Sequence, residues 1–296
     1  MSQDIVTLRA GGLEAALSPA IGGSLLWLTL DGVDLLRRAP ADSDDVLAMA
    51  SFPLVPYANR IADGRFAFGG RDHQLPLNFG DHPHSIHGFG WQAKWTASGT
   101  DISSTTLTHI HAGNTGWPFP YRAEQHVALT PSDLFLSLSL YNAGDTPMPA
   151  GLGFHPYLLA DPATTLHFDA NCLWLSTPDM LPDHEAPADA LGDWSRPAMV
   201  RGDYLVDNAY SGWNGTATVL RGDGIRLRLN ATGADFLHVY RPPGSVDFCL
   251  EPVSHMPDAI NRDAMPILAP GGTARLTMTI AIDKIDQTLP KSDGIA

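Results

Sequence analysis

The chain has 296 residues, 44% of them apolar and 17% charged, which supplies a sizeable core and excludes a disordered protein. Its 18 Lys and Arg against 32 Asp and Glu give a net charge of −14. That balance argues against nucleic acid and against an anionic membrane surface, both of which are bound mainly through Lys and Arg. The 28 glycines and 24 prolines argue against a helical bundle and for short strands joined by turns. In chain order, Leu25-Leu-Trp-Leu-Thr-Leu30 leads into an Asp31-Gly32 turn, and Arg65-Phe-Ala-Phe68 into Gly69-Gly70, both hairpin signals. Helical periodicity is absent except for one short candidate at 44–50. Residues 134–140 and Ile225-Arg-Leu-Arg-Leu229 show strand alternation, and Asp223-Gly224 precedes the second as a turn. Leu276, Met278, Ile280 and Ile282 alternate with Thr277, Thr279 and Ala281 near the end. The proline-rich stretch 176–197 reads as a long surface loop, with some helical turn, rather than a domain boundary.

These patterns predict one all-β domain over 1–296, a sandwich or barrel with little helix. Cys172 and Cys249 are too few for a disulfide framework, and no C-x-x-C pair suggests zinc. No apolar run approaches the ~20 residues that span a bilayer. The N-terminus, Met1-Ser-Gln-Asp-Ile-Val6, lacks the basic region and apolar run of a signal peptide, so a cytoplasmic location is expected.

Five clusters gather polar groups among glycines, prolines and aromatics. Phe52-Pro-Leu-Val-Pro-Tyr-Ala-Asn-Arg60 ends in Asn59 and Arg60, whose planar donors suit vicinal hydroxyls or a carboxylate. Asp81-His-Pro-His-Ser-Ile-His-Gly88 places His82, His84 and His87 within six residues. A cupin-like metal site would need a Glu shortly afterwards, and the next acid is Asp101, so no metal is expected. In Gly151-Leu-Gly-Phe-His-Pro-Tyr157, Pro156 restricts the backbone of His155 and can hold a titrating imidazole rigidly. Val206-Asp207-Asn208-Ala-Tyr210 carries a polar pair near a strand start. Phe248-Cys-Leu-Glu-Pro-Val253 places Glu251 after an apolar run, where a carboxylate is either paired or functional. No G-x-S-x-G, G-x-G-x-x-G or P-loop is present, so serine nucleophiles, hydride transfer and nucleotide hydrolysis find no support.

In their order and spacing, Pro19-Ala-Ile-Gly-Gly-Ser24, the Asn59-Arg60 segment, His84-Ser-Ile-His-Gly88, Trp117-Pro-Phe119, Gly153-Phe-His-Pro-Tyr157, Asp207-Asn-Ala-Tyr210 and Glu251-Pro resemble the aldose 1-epimerases (mutarotases). The likeness runs from about residue 8 to 282. It implies a large antiparallel β-sandwich of the galactose mutarotase-like supersandwich type. It also implies a cofactor-independent isomerase that interconverts the α and β anomers of a free monosaccharide. By resemblance Glu251 is the general base on the anomeric hydroxyl and His155 the general acid at the ring oxygen. His87 supports His155, and Arg60, Asp207 and Asn59 hold sugar hydroxyls; Trp91 or Tyr157 would stack on the sugar. A hexose-6-phosphate 1-epimerase on the same fold would want an Arg or Lys cluster for the phosphate. Arg37, Arg38, Arg65 and Arg71 stand apart from these motifs, which favours a free sugar. A non-catalytic carbohydrate-binding protein is the alternative from another class.

Overall fold

A computed structural model describes residues 5–285; residues 1–4 of the N-terminal segment read above lie outside it. The described chain is built almost wholly of antiparallel strands with four short 3-10 turns. Two large sheets dominate. The first has nine strands, with Asp133–Asn142 beside Thr273–Lys284, and Thr273–Lys284 beside Ile225–Thr232. The alternation seen in the sequence sets this register. Leu134 lies opposite Ile280, Leu136 opposite Met278 and Leu138 opposite Leu276, and all six side chains are buried. Period-two alternation puts every second residue on one face, so one apolar stripe per strand suffices to build a continuous inner surface.

The second sheet has eight strands, with Val206–Ser211, Phe236–Arg241 and Asp247–Val253 adjacent to one another. Leu237, Val239, Phe248 and Leu250 from this sheet join Leu134, Leu136, Leu276 and Met278 from the first in one buried cluster. The two inner faces therefore share a single core, as in a sandwich. A four-stranded sheet at the start of the chain, beginning with Val6–Ala10 and Leu13–Ser18, adds Leu8, Leu13 and Leu17 to that core.

The hairpin turns fall where expected. Asp31 and Gly32 take positive φ between Ser24–Leu30 and Val33–Asp34, and Gly69 and Gly70 do so between Arg65–Phe68 and Arg71–Gln74. Two expectations change. The helix candidate at 44–50 is only a single 3-10 turn, Val46–Ala48, whose Asp45 side chain accepts from the Leu47 N–H. The stretch 176–197 is not all loop. Pro182–Pro187 forms an edge strand of the second sheet beside Cys172–Ser176, where prolines are tolerated because one side of the strand donates to nothing.

Candidate active site

The outer face of the second sheet carries the site, because its central strands are buried on both sides. Along Asp247–Val253 every residue after Asp247 is buried. Phe248 and Leu250 point into the sandwich core, so alternation turns Asp247, Cys249 and Glu251 to the opposite face. In Phe236–Arg241, Leu237 and Val239 face the core, which turns His238 and Tyr240 outward. His238 lies directly opposite Glu251, and Asp207 opposite Tyr240. A cavity of about 480 Å³ opens over this face, lined by Asp207, Tyr240, Asp247 and Glu251 together with Arg60 from the short strand Arg60–Ile61 and Asn59, His87 and His155 from the loops.

His155 and Glu251 meet at the floor of this cavity, with Nε2 3.2 Å from Oε1. The imidazole is held in place by stacking against both Phe52 (ring centroids 4.6 Å apart) and Tyr157 (4.8 Å). Its backbone N–H donates to the Phe52 carbonyl, and the Tyr157 N–H to that of Ala50; Pro156 between them has no N–H to satisfy. Beneath lie Phe52, Leu54, Ile86, Trp91, Tyr157, Cys249 and Val253, a separate apolar cluster that closes off the pair on the side away from the cavity. Burial drives the His155 imidazole down to about 3, with His238 acting in the same direction. Burial likewise pushes the Glu251 carboxyl well above the usual range; the Asp207 charge adds to this and Arg60 opposes it. Both shifts disfavour charge, so the pair holding one proton leans toward neutral imidazole and carboxylic acid.

On one flank, Arg60 Nη2 donates to Asp207 Oδ2 at 3.1 Å, and Arg60 Nη1 to Asn59 Oδ1 at 3.1 Å. The other Asp207 oxygen accepts from His238 Nε2 at 2.6 Å. Burial alone would raise the Asp207 carboxyl, but His238 and Arg60 outweigh it and hold the group well below the usual carboxylate range. His238 is the member of this network that the sequence motifs missed. Apolar Leu237 and Val239 flank His238 at strand spacing, which turns its side chain to the face opposite theirs without giving it a role.

His87 completes the site, its ring perpendicular to that of His155 with centroids 5.3 Å apart. Its Nδ1 accepts from the Asn59 backbone N–H at 3.1 Å, while its own backbone N–H donates to the Asn59 carbonyl at 2.8 Å. Burial, followed by His155 and Arg60, keeps the ring well below its ordinary pKa. The neutral tautomer is thereby fixed with its proton on Nε2, a donor available to a ligand. Both Asn59 (φ 56°) and His87 (φ 60°) are left-handed, a conformation of about 1–3 kcal/mol cost that persists where surrounding contacts impose it. Gly88 makes this possible: at φ 77°, a Cβ there would stand 2.4 Å from the Val55 carbonyl oxygen. Gly88→Ala is expected to lose about 1–2 kcal/mol from backbone alone. It should also displace His87, so a thermal melt and a sugar-binding titration should both deteriorate.

The six expected site residues thus converge on one cavity. Other expectations fare differently. Tyr157 reaches the cavity wall, but Trp91 is buried under the site with its ring edge-on to His87, so it cannot stack on a ligand. Of the three neighbouring histidines, His82 and His84 pack edge to face with ring centroids 5.3 Å apart, while His87 turns away from them to His155. His84 turns to Asp179 (3.2 Å), and His82 packs against Phe79 at the cavity wall. The group whose ligand atoms do approach one another among the described residues is His155, Cys249 and Glu251, all within 4.8 Å. Arg37, distant from the motifs in sequence, also lines the cavity. Its guanidinium stacks 3.4 Å over the Tyr157 ring, donates to the Met49 carbonyl at 2.7 Å and lies 3.8 Å from Asp247.

Comparison with known proteins finds relatives in sequence and in fold. An Escherichia coli K12 protein called YphB, uncharacterized, is 32% identical over 295 residues, spanning 94% of this chain and 99% of its own. A solved E. coli K12 structure, provisionally assigned as an aldose 1-epimerase, superposes with a TM-score of 0.88 at 29% identity over 96% of this chain and all of its own. A Caenorhabditis elegans GalM/aldose epimerase homologue shares the fold at 19% identity, with a TM-score of 0.84 over 96% of this chain and all of its own. No helix among the described residues is long and apolar enough to cross a membrane. The sequence profile of the Aldose 1-epimerase family matches residues 4–281, and the chain belongs to that family.

Proposed function

We propose that this protein is an aldose 1-epimerase that interconverts the α and β anomers of a free aldopyranose in the cytoplasm. The observation that carries the reading is the buried His155–Glu251 contact of 3.2 Å on the floor of a cavity walled by Arg60 and Asp207.

Anomer exchange needs one base and one acid across the anomeric centre. Proton passage from Glu251 to His155 along their contact arms the pair as carboxylate and imidazolium. Glu251 then takes the proton of the anomeric hydroxyl while His155 protonates the ring oxygen, the C1–O5 bond breaks and C1 becomes a carbonyl. After rotation about C1–C2 the two groups exchange roles: His155 takes the proton back from O5 as it attacks the other carbonyl face, and Glu251 returns a proton to O1. The balance closes on proton transfers alone. The open-chain stage returns the pair to neutral His155 and protonated Glu251, the distribution that burial favours and that the site holds before arming, so no new charge is left buried on the pair once the ring has opened. Each positioned transfer is worth roughly 10²–10⁴-fold. His87 Nε2–H supports the ring oxygen, and Arg60, Asp207 and Asn59 grip hydroxyls away from C1.

A neutral sugar fits the charges on the cavity wall. Arg60 is paired with Asp207, and Arg37 is engaged by backbone carbonyls and faces Asp247. A phosphate dianion would have to displace these partners and approach two carboxylates. Anomer-exchange NMR over a panel of free pyranoses and their 6-phosphates tests the reading. Catalysed line broadening is expected for at least one free sugar, with at least tenfold slower exchange of its 6-phosphate. Faster exchange of the phosphate would assign a hexose-6-phosphate 1-epimerase instead. Binding without any acceleration would assign a carbohydrate-binding protein.

A further inference from the structure

Cys249 has no part in the proton transfers, yet it lies against both groups that make them. It is two residues from Glu251 on the same strand face and directly opposite Tyr157 in the strand that follows His155. A sulfur, an imidazole nitrogen and a carboxylate oxygen consequently lie within 4.8 Å of one another, on three buried side chains. Two buried polar atoms of this trio, Glu251 Oε2 and His155 Nδ1, have no hydrogen-bond partner. Tetrahedral zinc with bonds of about 2.0–2.3 Å sets neighbouring donors about 3.3–3.6 Å apart. The His155–Glu251 separation of 3.2 Å is already close to that spacing. A thiol, an imidazole and a carboxylate make a donor set suited to zinc, and the cavity side of His155 and Glu251 leaves a fourth position for water.

We propose that His155, Cys249 and Glu251 form a binding site for Zn²⁺ and related thiophilic divalent cations, and that occupancy reversibly inhibits the enzyme. On binding, the Cys249 thiol and the Glu251 carboxylic acid each release a proton to solvent, and sulfur, nitrogen and carboxylate oxygen each donate a lone pair; no electron changes hands. Once their lone pairs are engaged by the metal, neither His155 nor Glu251 can carry a proton between O1 and O5. Burial, and then the Glu251 charge, push the thiol pKa well up, so protons compete with the metal and affinity should rise with pH. The inhibition rests on the acid–base reading given above; the binding does not.

Co²⁺ titrated into the purified full chain is the direct probe. A thiolate-to-cobalt absorption band saturating at one equivalent is expected. It should vanish in both Cys249→Ala and Cys249→Ser, persist in Cys172→Ala, and be bleached by ZnCl₂. Micromolar ZnCl₂ should slow anomer exchange at least tenfold and EDTA should restore it. Cys249→Ala should be at least tenfold less sensitive to zinc, each protein's rate being taken relative to its own metal-free value. A band or an inhibition that is the same in Cys249→Ala as in the wild type overturns the site, as does the absence of any band in an active protein. If no sugar is turned over, the cobalt band still decides the binding, so the two proposals fail separately.

Discussion

Glu251→Gln is expected to lower the rate of anomer exchange by about 10²–10⁴-fold, the usual worth of one positioned proton transfer. The replacement keeps the shape of the side chain and removes only its capacity to take and return a proton. Stability should respond in the opposite sense. A carboxyl whose folded pKa is raised contributes stability below its unfolded value of about 4.3, and that contribution is lost as pH rises toward the folded value. Glu251 is raised by burial, so at pH 8 the glutamine variant should melt at or above the wild-type temperature. Polarimetry on a freshly dissolved anomer and a thermal melt on the same sample separate catalysis from folding. A glutamine variant with full activity would remove Glu251 from the mechanism. In the wild type, kcat/KM should fall on the acid side only as the pair takes a second proton, near the His155 value of about 3. On the alkaline side it should fall where the pair loses its single proton, above the ordinary carboxylate range. A flat profile would contradict a one-proton pair.

Asp207→Ala is expected to be the most damaging change to stability in the site. It removes the partner of both Arg60 and His238, and Arg60 is only 7% exposed. Leaving one member of a buried pair uncompensated typically costs about 3–5 kcal/mol. With an unfolding entropy of about 2.1 cal/mol/K per residue, that is a fall of about 5–8 °C in melting temperature. Asp207→Asn isolates the charge. A depressed carboxyl contributes stability above its unfolded value of about 3.9 and loses it as pH falls toward the folded value. The gap between wild type and Asp207→Asn should therefore be full at pH 7 and narrow below about pH 4. Melting temperatures within a degree of wild type for Asp207→Ala would mean that Arg60 finds another partner.

His155 and Glu251 were legible because each sits in a short run whose neighbours constrain it, Phe154-His-Pro156 and Cys249-Leu-Glu-Pro252. His238 was not, since its flanking residues are those of any core strand and only the partner across the sheet gives it a role. Arg37 was misjudged for a related reason. Its isolation in sequence suggested distance from the site, whereas stacking on Tyr157 brings it to the cavity wall. The strand Pro182–Pro187 was hidden by its prolines, which are acceptable there only because the strand lies at a sheet edge.

The initial composition, rich in Gly and Pro and poor in Lys and Arg, set the class of the molecule: strands and turns, with a surface unsuited to polyanions. Alternation then determined which side chains share a face, because side-chain direction along a strand is a local property of the backbone. Which faces meet is not local. The Leu134–Ile280 register and the Arg60–Asp207 pair, 147 residues apart, depend on strands finding partners that bury both inner faces at once. The same tertiary placement moved the weight of the acid surplus onto two carboxylates. Asp207 is kept charged by the partners brought to it, and Glu251 is pushed toward neutrality by an apolar floor that no stretch of sequence around it contains.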